Sequence, residues 1–302
     1  MNKTKGVLFS VLSAVLFGLV SSLSPLAYEG GFNPVTLALM RQAFNLPVAL
    51  AVMLCTKTSL SLQKGQPLKL AALGIVGWAA TTLLLNTALS LIDVGIASTI
   101  HFTYPIFVTL GCVLIYRIKI SRAKIMALSV STIGIVTFVL GGTSSGGGST
   151  LGVLLAVLSG VTYAFYMLFL DKSDLAAQMS PIKVNFYVGL GGCSLFLVYG
   201  LFTGQLHLSG IAPSAWLLVM LMGVTGGVVA FSMVQLGIKY TDATTTAICS
   251  TCEPVTSVIF GTLFLGEELT PLKVIASLLI IAGVLMLSLI PEKKQPVSTE
   301  QQ

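Results

Sequence analysis

The chain has 302 residues, of which 55% are hydrophobic and only 9% charged, with a formal net charge of +6 and a mean hydropathy of +0.97. A soluble domain carries roughly a quarter charged residues, so this composition excludes a water-covered globule. Charge-poor runs of about 20 residues recur, each able to cross a hydrocarbon core of ~30 Å. None alternates in polarity like a barrel strand, so the fold class read here is all-α integral membrane.

In chain order, the predicted spans are 6–28, 34–56, 68–91, 94–116, 123–140, 150–170, 183–206, 214–238, 243–265 and 271–290, ten transmembrane helices in all. The first follows Lys3 and Lys5 and superficially resembles a signal peptide. It is too long for an h-region and lacks a clear small-residue cleavage site, so it reads as a span. Turn chemistry separates the runs at Glu29–Pro34, at Gly65-Gln-Pro67, at Gly141–Ser149 and at Gly266–Pro271. Thr270 before Pro271 predicts a capped helix start. The glycine-serine run Gly141–Ser149 is expected to be a flexible junction. Residues 292–302 read as a polar cytoplasmic tail.

Lysine and arginine set the orientation. With the N-terminus inside, all 16 basic residues except Arg41 and Lys273 fall in inner segments and loops, as the positive-inside rule requires. Both termini are then cytoplasmic, in a cell (plasma or inner) membrane. This topology explains the net charge without nucleic acid. The basic stretch "RIKISRAK" from Arg117 reads as a solvated inner loop touching anionic headgroups. The five cysteines lie in apolar spans and read as small core residues. Cys249 and Cys252 share a helical face, but no second Cys or His pair completes a zinc site, and no metal or cofactor is expected.

The chain repeats itself. "GVLFSVLSAV" from Gly6 matches "GVLLAVLSGV" from Gly152, and "DVGIASTIHFTYP" from Asp93 aligns with "DATTTAICSTCEP" from Asp242. Pro105 thereby falls on Pro254, and Gly134 pairs with Gly283 at the same offset. Five helices per repeat is an odd number, so the second repeat is expected to be inverted. Inverted repeats are a secondary-transporter architecture with the substrate near the midplane. The domain reading is 1–141 for the first repeat and 150–291 for the second.

The stretch "EPVTSVIFGTLFLGEELTPLKVIASLLIIAGVLML", residues 253–287, resembles the final two helices of EamA-type members of the drug/metabolite transporter superfamily. Tyr104-Pro105 through Gly134 and "LALMRQAFNLPVAL" around Arg41 fit more loosely. The resemblance spans nearly the whole chain. It implies a carrier moving small metabolites, often amino acids or related exported compounds. The loop "RIKISRAK" departs from the pattern, having basic residues in place of a Gly-Glu.

Ionisable groups at membrane depth are costly and mark candidate sites. Three stand out: Arg41, His101 and Glu253. Glu253 is expected roughly 15 Å from the inner end of its helix, where pairing with Arg41 would neutralise both. Pro254 and Pro105 each remove a backbone donor and predict a local helix break. Tyr104-Pro105 thus repeats the Glu253-Pro254 device, and the two breaks are expected to flank the substrate cavity. His101 is a candidate proton relay or a partner for a nearby hydroxyl. Asn86 and Gln235, at equivalent positions, are candidate gate or substrate contacts or simple helix glue. Tyr163, Tyr166 and Trp78 are candidates to line the cavity and stack on an aromatic or cationic ligand.

The expected function is a secondary carrier working by alternating access, exporting or exchanging small metabolites and coupled to protons through Glu253. It would act as monomer or homodimer in the bilayer. The alternative is an uncoupled facilitator or channel. No P-loop pattern supports an ATP-driven pump. A membrane-embedded enzyme would need a set such as HExxH or facing aspartates, which this sequence lacks.

Overall fold

The computed structural model describes residues 3–92, 94–140, 149–266 and 268–289. The predicted junction at 141–148 and the tail at 292–302 lie outside these. The described residues form helices and turns without strands. Their order is α1 (Lys3–Glu29), α2 (Pro34–Cys55), α3 (Gln66–Leu89), α4 (Val94–His101), α5 (Tyr104–Leu114) and α6 (Arg122–Leu140), followed by α7 (Thr150–Lys172), the single turn α8 (Leu175–Gln178), α9 (Pro181–Thr203), α10 (Pro213–Tyr240), α11 (Ala243–Ser250), α12 (Cys252–Leu265) and α13 (Pro271–Leu289).

Eight stretches among the described residues are long and apolar enough to cross a membrane, with a shorter apolar helix at Pro271–Leu287. Large apolar side chains point outward in quantity: Phe202 is 89% exposed, and Leu114 and Ile115 are each 72% exposed. A surface this apolar needs lipid to cover it.

Local chemistry explains the helix ends. Asn33 caps α2 by accepting from the Thr36 amide at 2.8 Å, with Pro34 in the first turn. Gly65, at φ +88°, makes the left-handed turn into α3 that a side chain would strain. The Thr270 hydroxyl accepts from the Lys273 amide at 3.3 Å, which is the cap expected at α13.

Both proline positions break their helices. The run 94–116 divides into α4 and α5 at Phe102–Thr103, and the run 243–265 divides into α11 and α12 at Thr251. In each case the proline sits in the first turn of the second piece, where its missing N–H leaves no bond unmade. The carbonyl of His101, which Pro105 cannot bond, lies against α7. There a Cβ added to Gly160 would come within 3.2 Å of it.

α3 and α10 each contain a π-helical turn, at Leu73–Ala79 and Gly223–Ala230, at equivalent places in the two repeats. Gly74 presses on α9 and Gly223 on α2, each so closely that a Cβ would lie 2.7 Å from a carbonyl oxygen of that helix.

Equivalent helices also meet in opposite directions. Gly134 of α6 faces Ala276 and Ile280 of α13, while Gly283 of α13 faces Ala127 and Ser131 of α6. Rising residue number on one helix thus matches falling number on the other. In the same way Gly189 and Gly192 of α9 face Asn45 and Gln42 of α2 in reversed order.

Candidate functional site

The break between α11 and α12 places Glu253 in the first turn of α12. Its carboxylate accepts a hydrogen bond from the Ser21 hydroxyl of α1 at 3.2 Å, and the side chain is half-buried. α1 approaches this point closely because residue 18 is glycine. A Cβ there would lie 2.0 Å from Thr256 Oγ1 and 2.8 Å from the Glu253 carbonyl oxygen. Thr256 Oγ1 in turn donates to the Glu253 carbonyl at 2.9 Å.

Arg41 comes from α2, and its guanidinium rests against the π turn of α10. A Cβ on Gly226 would sit 3.2 Å from Nη2. Arg41 is within electrostatic reach of both Tyr28 and Glu253. Yet no ion pair joins Arg41 to Glu253 among the described residues. The direct pairing expected from the sequence is therefore not made. Neither side chain thus has an ion-pair partner, which is costly for a charge withdrawn from water.

Glu253 also lies within electrostatic reach of Tyr104 and Tyr163, the start of a continuous aromatic chain. Tyr104 meets Tyr163 edge-on with centroids 4.7 Å apart. Tyr163 stacks on Tyr166 at 6.1 Å, Tyr166 contacts Phe231 at 5.2 Å, and Phe231 contacts Trp78 edge-on at 4.3 Å. His101 touches this same end, 5.6 Å from Tyr104 and 5.8 Å from Tyr163. Helices from both repeats thus contribute to one aromatic core. Quadrupole attraction favours these edge-on and offset contacts.

His101 is buried, and its Nδ1 lies 3.0 Å from Ser159 Oγ. Ser159 Oγ also lies 2.7 Å from the Ala156 carbonyl; when it donates there, Nδ1 carries the hydrogen and donates to Oγ. Of the two residues at equivalent positions, Gln235 is buried and donates to Asn185 Oδ1 at 2.5 Å. Asn86 is half-buried and takes no part in the side-chain hydrogen bonds among the described residues.

Sequence reasoning missed part of this centre. Asn185 donates to Ser232 Oγ at 2.9 Å and to the Val228 carbonyl of the π turn at 3.2 Å. Asn45 donates to Gln42 Oε1 at 3.3 Å. Gln42, Asn45, Trp78 and Asn185 line a cavity of about 10 Å³, about the space one water occupies. Among the buried polar atoms near this core Asn45 Oδ1 has no hydrogen-bond partner, while the Tyr104 hydroxyl lies beside Ser250 and the Tyr166 hydroxyl beside Gln235. Buried polar atoms are normally bonded, so Asn45 Oδ1 stands out beside this cavity. Extending the intramembrane-polarity rule from charges to amides would have found Gln42, Asn45 and Asn185. Nothing local in the sequence distinguishes Phe231 from the other apolar residues.

At the end of the bundle that carries the basic loops, Lys124 of the first repeat pairs with Asp242 of the second at 2.7 Å. Asp242 also caps α11, accepting from the Thr245 amide at 3.0 Å and the Thr245 hydroxyl at 2.9 Å. Burial by itself would raise this carboxyl. The Lys124 charge and hydrogen bond, with the Thr245 donors, outweigh it and hold the group below its ordinary value. A depressed carboxyl stabilises the fold above its unfolded value of 3.8 and loses that contribution as pH falls below it. Asp242→Ala removes pair and cap together and should destabilise by about 1–2 kcal/mol. Asp242→Asn should lose less, and its unfolding should depend less on pH in the acid range, as read by tryptophan fluorescence.

Comparison with known proteins agrees with this architecture. Residues 4–140 and 150–289 each match the model of the EamA-like transporter family. An uncharacterized transporter of Archaeoglobus fulgidus is 27% identical over 64% of this chain and 67% of its own length. The Bacillus subtilis uncharacterized transporter YcbK is 24% identical over 89% of this chain and 88% of its own. A crystal structure with 18% identity superposes at a TM-score of 0.78, covering 94% of this chain and 96% of the other. That likeness concerns the fold alone. Two matched repeats covering nearly every described residue place this chain in the EamA-like transporter family.

Proposed function

We propose that this protein is a secondary carrier for small zwitterionic metabolites, amino acids or close relatives, which it exports or exchanges by alternating access. Ten transmembrane helices would form two inverted five-helix repeats. The reversed contacts of α6 with α13 and of α2 with α9 support the inversion. The excess of lysine and arginine on one side supports cytoplasmic termini in a cell membrane.

The observation that carries the substrate reading is the unpaired Arg41 and Glu253 beside one aromatic core. A zwitterion satisfies both, with its carboxylate on the guanidinium and its ammonium on the glutamate. Charge-assisted contacts of this kind contribute about 1.5–3 kcal/mol each. The aromatic chain from Tyr104 to Trp78 would receive the side chain. Glu253, which either faces the ammonium or holds a proton, would couple the two.

Purified protein in liposomes tests this with labelled amino acids set against amines lacking the carboxylate and acids lacking the amine. Removal of either charge should weaken exchange roughly tenfold or more, in line with one lost charged contact. Equal exchange of all three classes would overturn the zwitterion reading. Exchange that ignores a pH gradient would leave a carrier without proton coupling.

A further inference from the structure

A second site lies away from this core, between the α2–α3 loop of one repeat and the α8–α9 connection of the other. It is a cavity of about 300 Å³, within the size range of small-molecule sites. Its walls include Thr58, Ser59, Ser61, Gln66, Gln178 and Lys183, and Met179 is its one apolar side chain. No carboxylate lines it.

The geometry keeps the cavity open. The strap that carries Ser59 and Ser61 is held to α9 by its backbone. The Lys183 ammonium donates to the Ser61 carbonyl at 2.5 Å, and the Tyr187 hydroxyl donates to the Leu60 carbonyl. Side-chain hydroxyls and amides are therefore left to line the space. An ammonium carries three N–H bonds, and the strap carbonyl takes one. With no acid in the lining, the positive charge of Lys183 is uncompensated within the cavity.

We propose that this cavity binds a phosphate monoester, held by Lys183 and the surrounding hydroxyl and amide donors. A monoester presents three strongly accepting oxygens and close to two negative charges at neutral pH, which suits a wall of many donors and one cation. The volume exceeds that of phosphate alone, so the rest of the molecule also has room. It is either a small soluble phosphoester or the headgroup of an anionic lipid. Because the walls come from both repeats, the bound molecule ties the halves together on this face and stabilises the arrangement seen here.

Thermal unfolding of the full-length protein tests the site in two settings. In detergent, inorganic phosphate and glycerol 3-phosphate are titrated. In nanodiscs, phosphatidylcholine is compared with phosphatidylcholine containing phosphatidic acid. A saturable rise in melting temperature is expected in one setting. A rise with the soluble phosphates identifies a free phosphoester, and a rise only with phosphatidic acid identifies a lipid headgroup. Lys183→Gln and Gln178→Glu should each weaken the effect at least about tenfold. Should Lys183→Gln fail to fold, Gln178→Glu decides, since Gln178 is exposed and plays no part in holding the strap. No rise in either setting, or a rise that survives Gln178→Glu, overturns the proposal.

Discussion

Glu253→Gln is expected to reduce pH-driven flux to the level of protein-free vesicles while the protein still folds. Glutamine has nearly the same shape and can still accept from the Ser21 hydroxyl, which lies 3.2 Å from the carboxylate oxygen. The packing of α1 on α12 is therefore retained. What disappears is the negative charge opposite Arg41 and the capacity to release a proton. Substrate affinity should fall roughly ten- to a hundredfold, the loss of one charge-assisted contact. Exchange at saturating substrate without a gradient should persist. pH-driven uptake at the parental rate in this variant would remove Glu253 from the coupling mechanism. Arg41→Gln complements it: affinity for the zwitterion should drop, while pH sensitivity of the residual flux remains.

Gly18→Val should be the most damaging single change to the fold near the site. A Cβ at residue 18 already falls 2.0 Å from Thr256 Oγ1 and 2.8 Å from both the Glu253 carbonyl oxygen and the Ser257 amide nitrogen. The hydroxyl can rotate away, but the two backbone atoms cannot, so α1 must separate from α12. Overpacking of this kind costs about 1–3 kcal/mol, and the separation also breaks the Ser21–Glu253 hydrogen bond. A drop in melting temperature should accompany loss of transport. Near-normal stability together with normal transport would show that the helices part more freely than the packing implies.

The two variants separate chemistry from position. Glu253→Gln changes a proton and a charge with the helices in place, whereas Gly18→Val moves the helices and leaves the carboxylate intact. A carrier that needs both should fail in both, but only the second should also melt early.

Much of the architecture was legible in the residues. Hydropathy located the apolar helices because the bilayer imposes length and composition on every crossing segment. Pro105 and Pro254 announced breaks near Thr103 and Thr251 because a ring without an N–H cannot complete the helical bond to the residue four before it, although Pro25 and Pro47 are accommodated inside the continuous helices α1 and α2. The cost of burying charge singled out Arg41, His101 and Glu253. These properties follow from solvent and backbone geometry, which act on short stretches of chain.

Tertiary structure alone decided how those residues meet. Ser21 reaches Glu253 across 232 residues of sequence, and Gln235 reaches Asn185 across 50. Only helix packing makes such neighbours. The same packing holds Arg41 near Glu253 without pairing them, and selects Phe231 from many apolar residues to join Tyr166 to Trp78. It also brings neighbouring backbones close at the glycines of the π turns in α3 and α10. The sequence by itself determined the membrane class, the duplication and the residues able to carry charge. The tertiary structure decided which of them converge, because convergence depends on the mutual fit of distant helices rather than on any local preference.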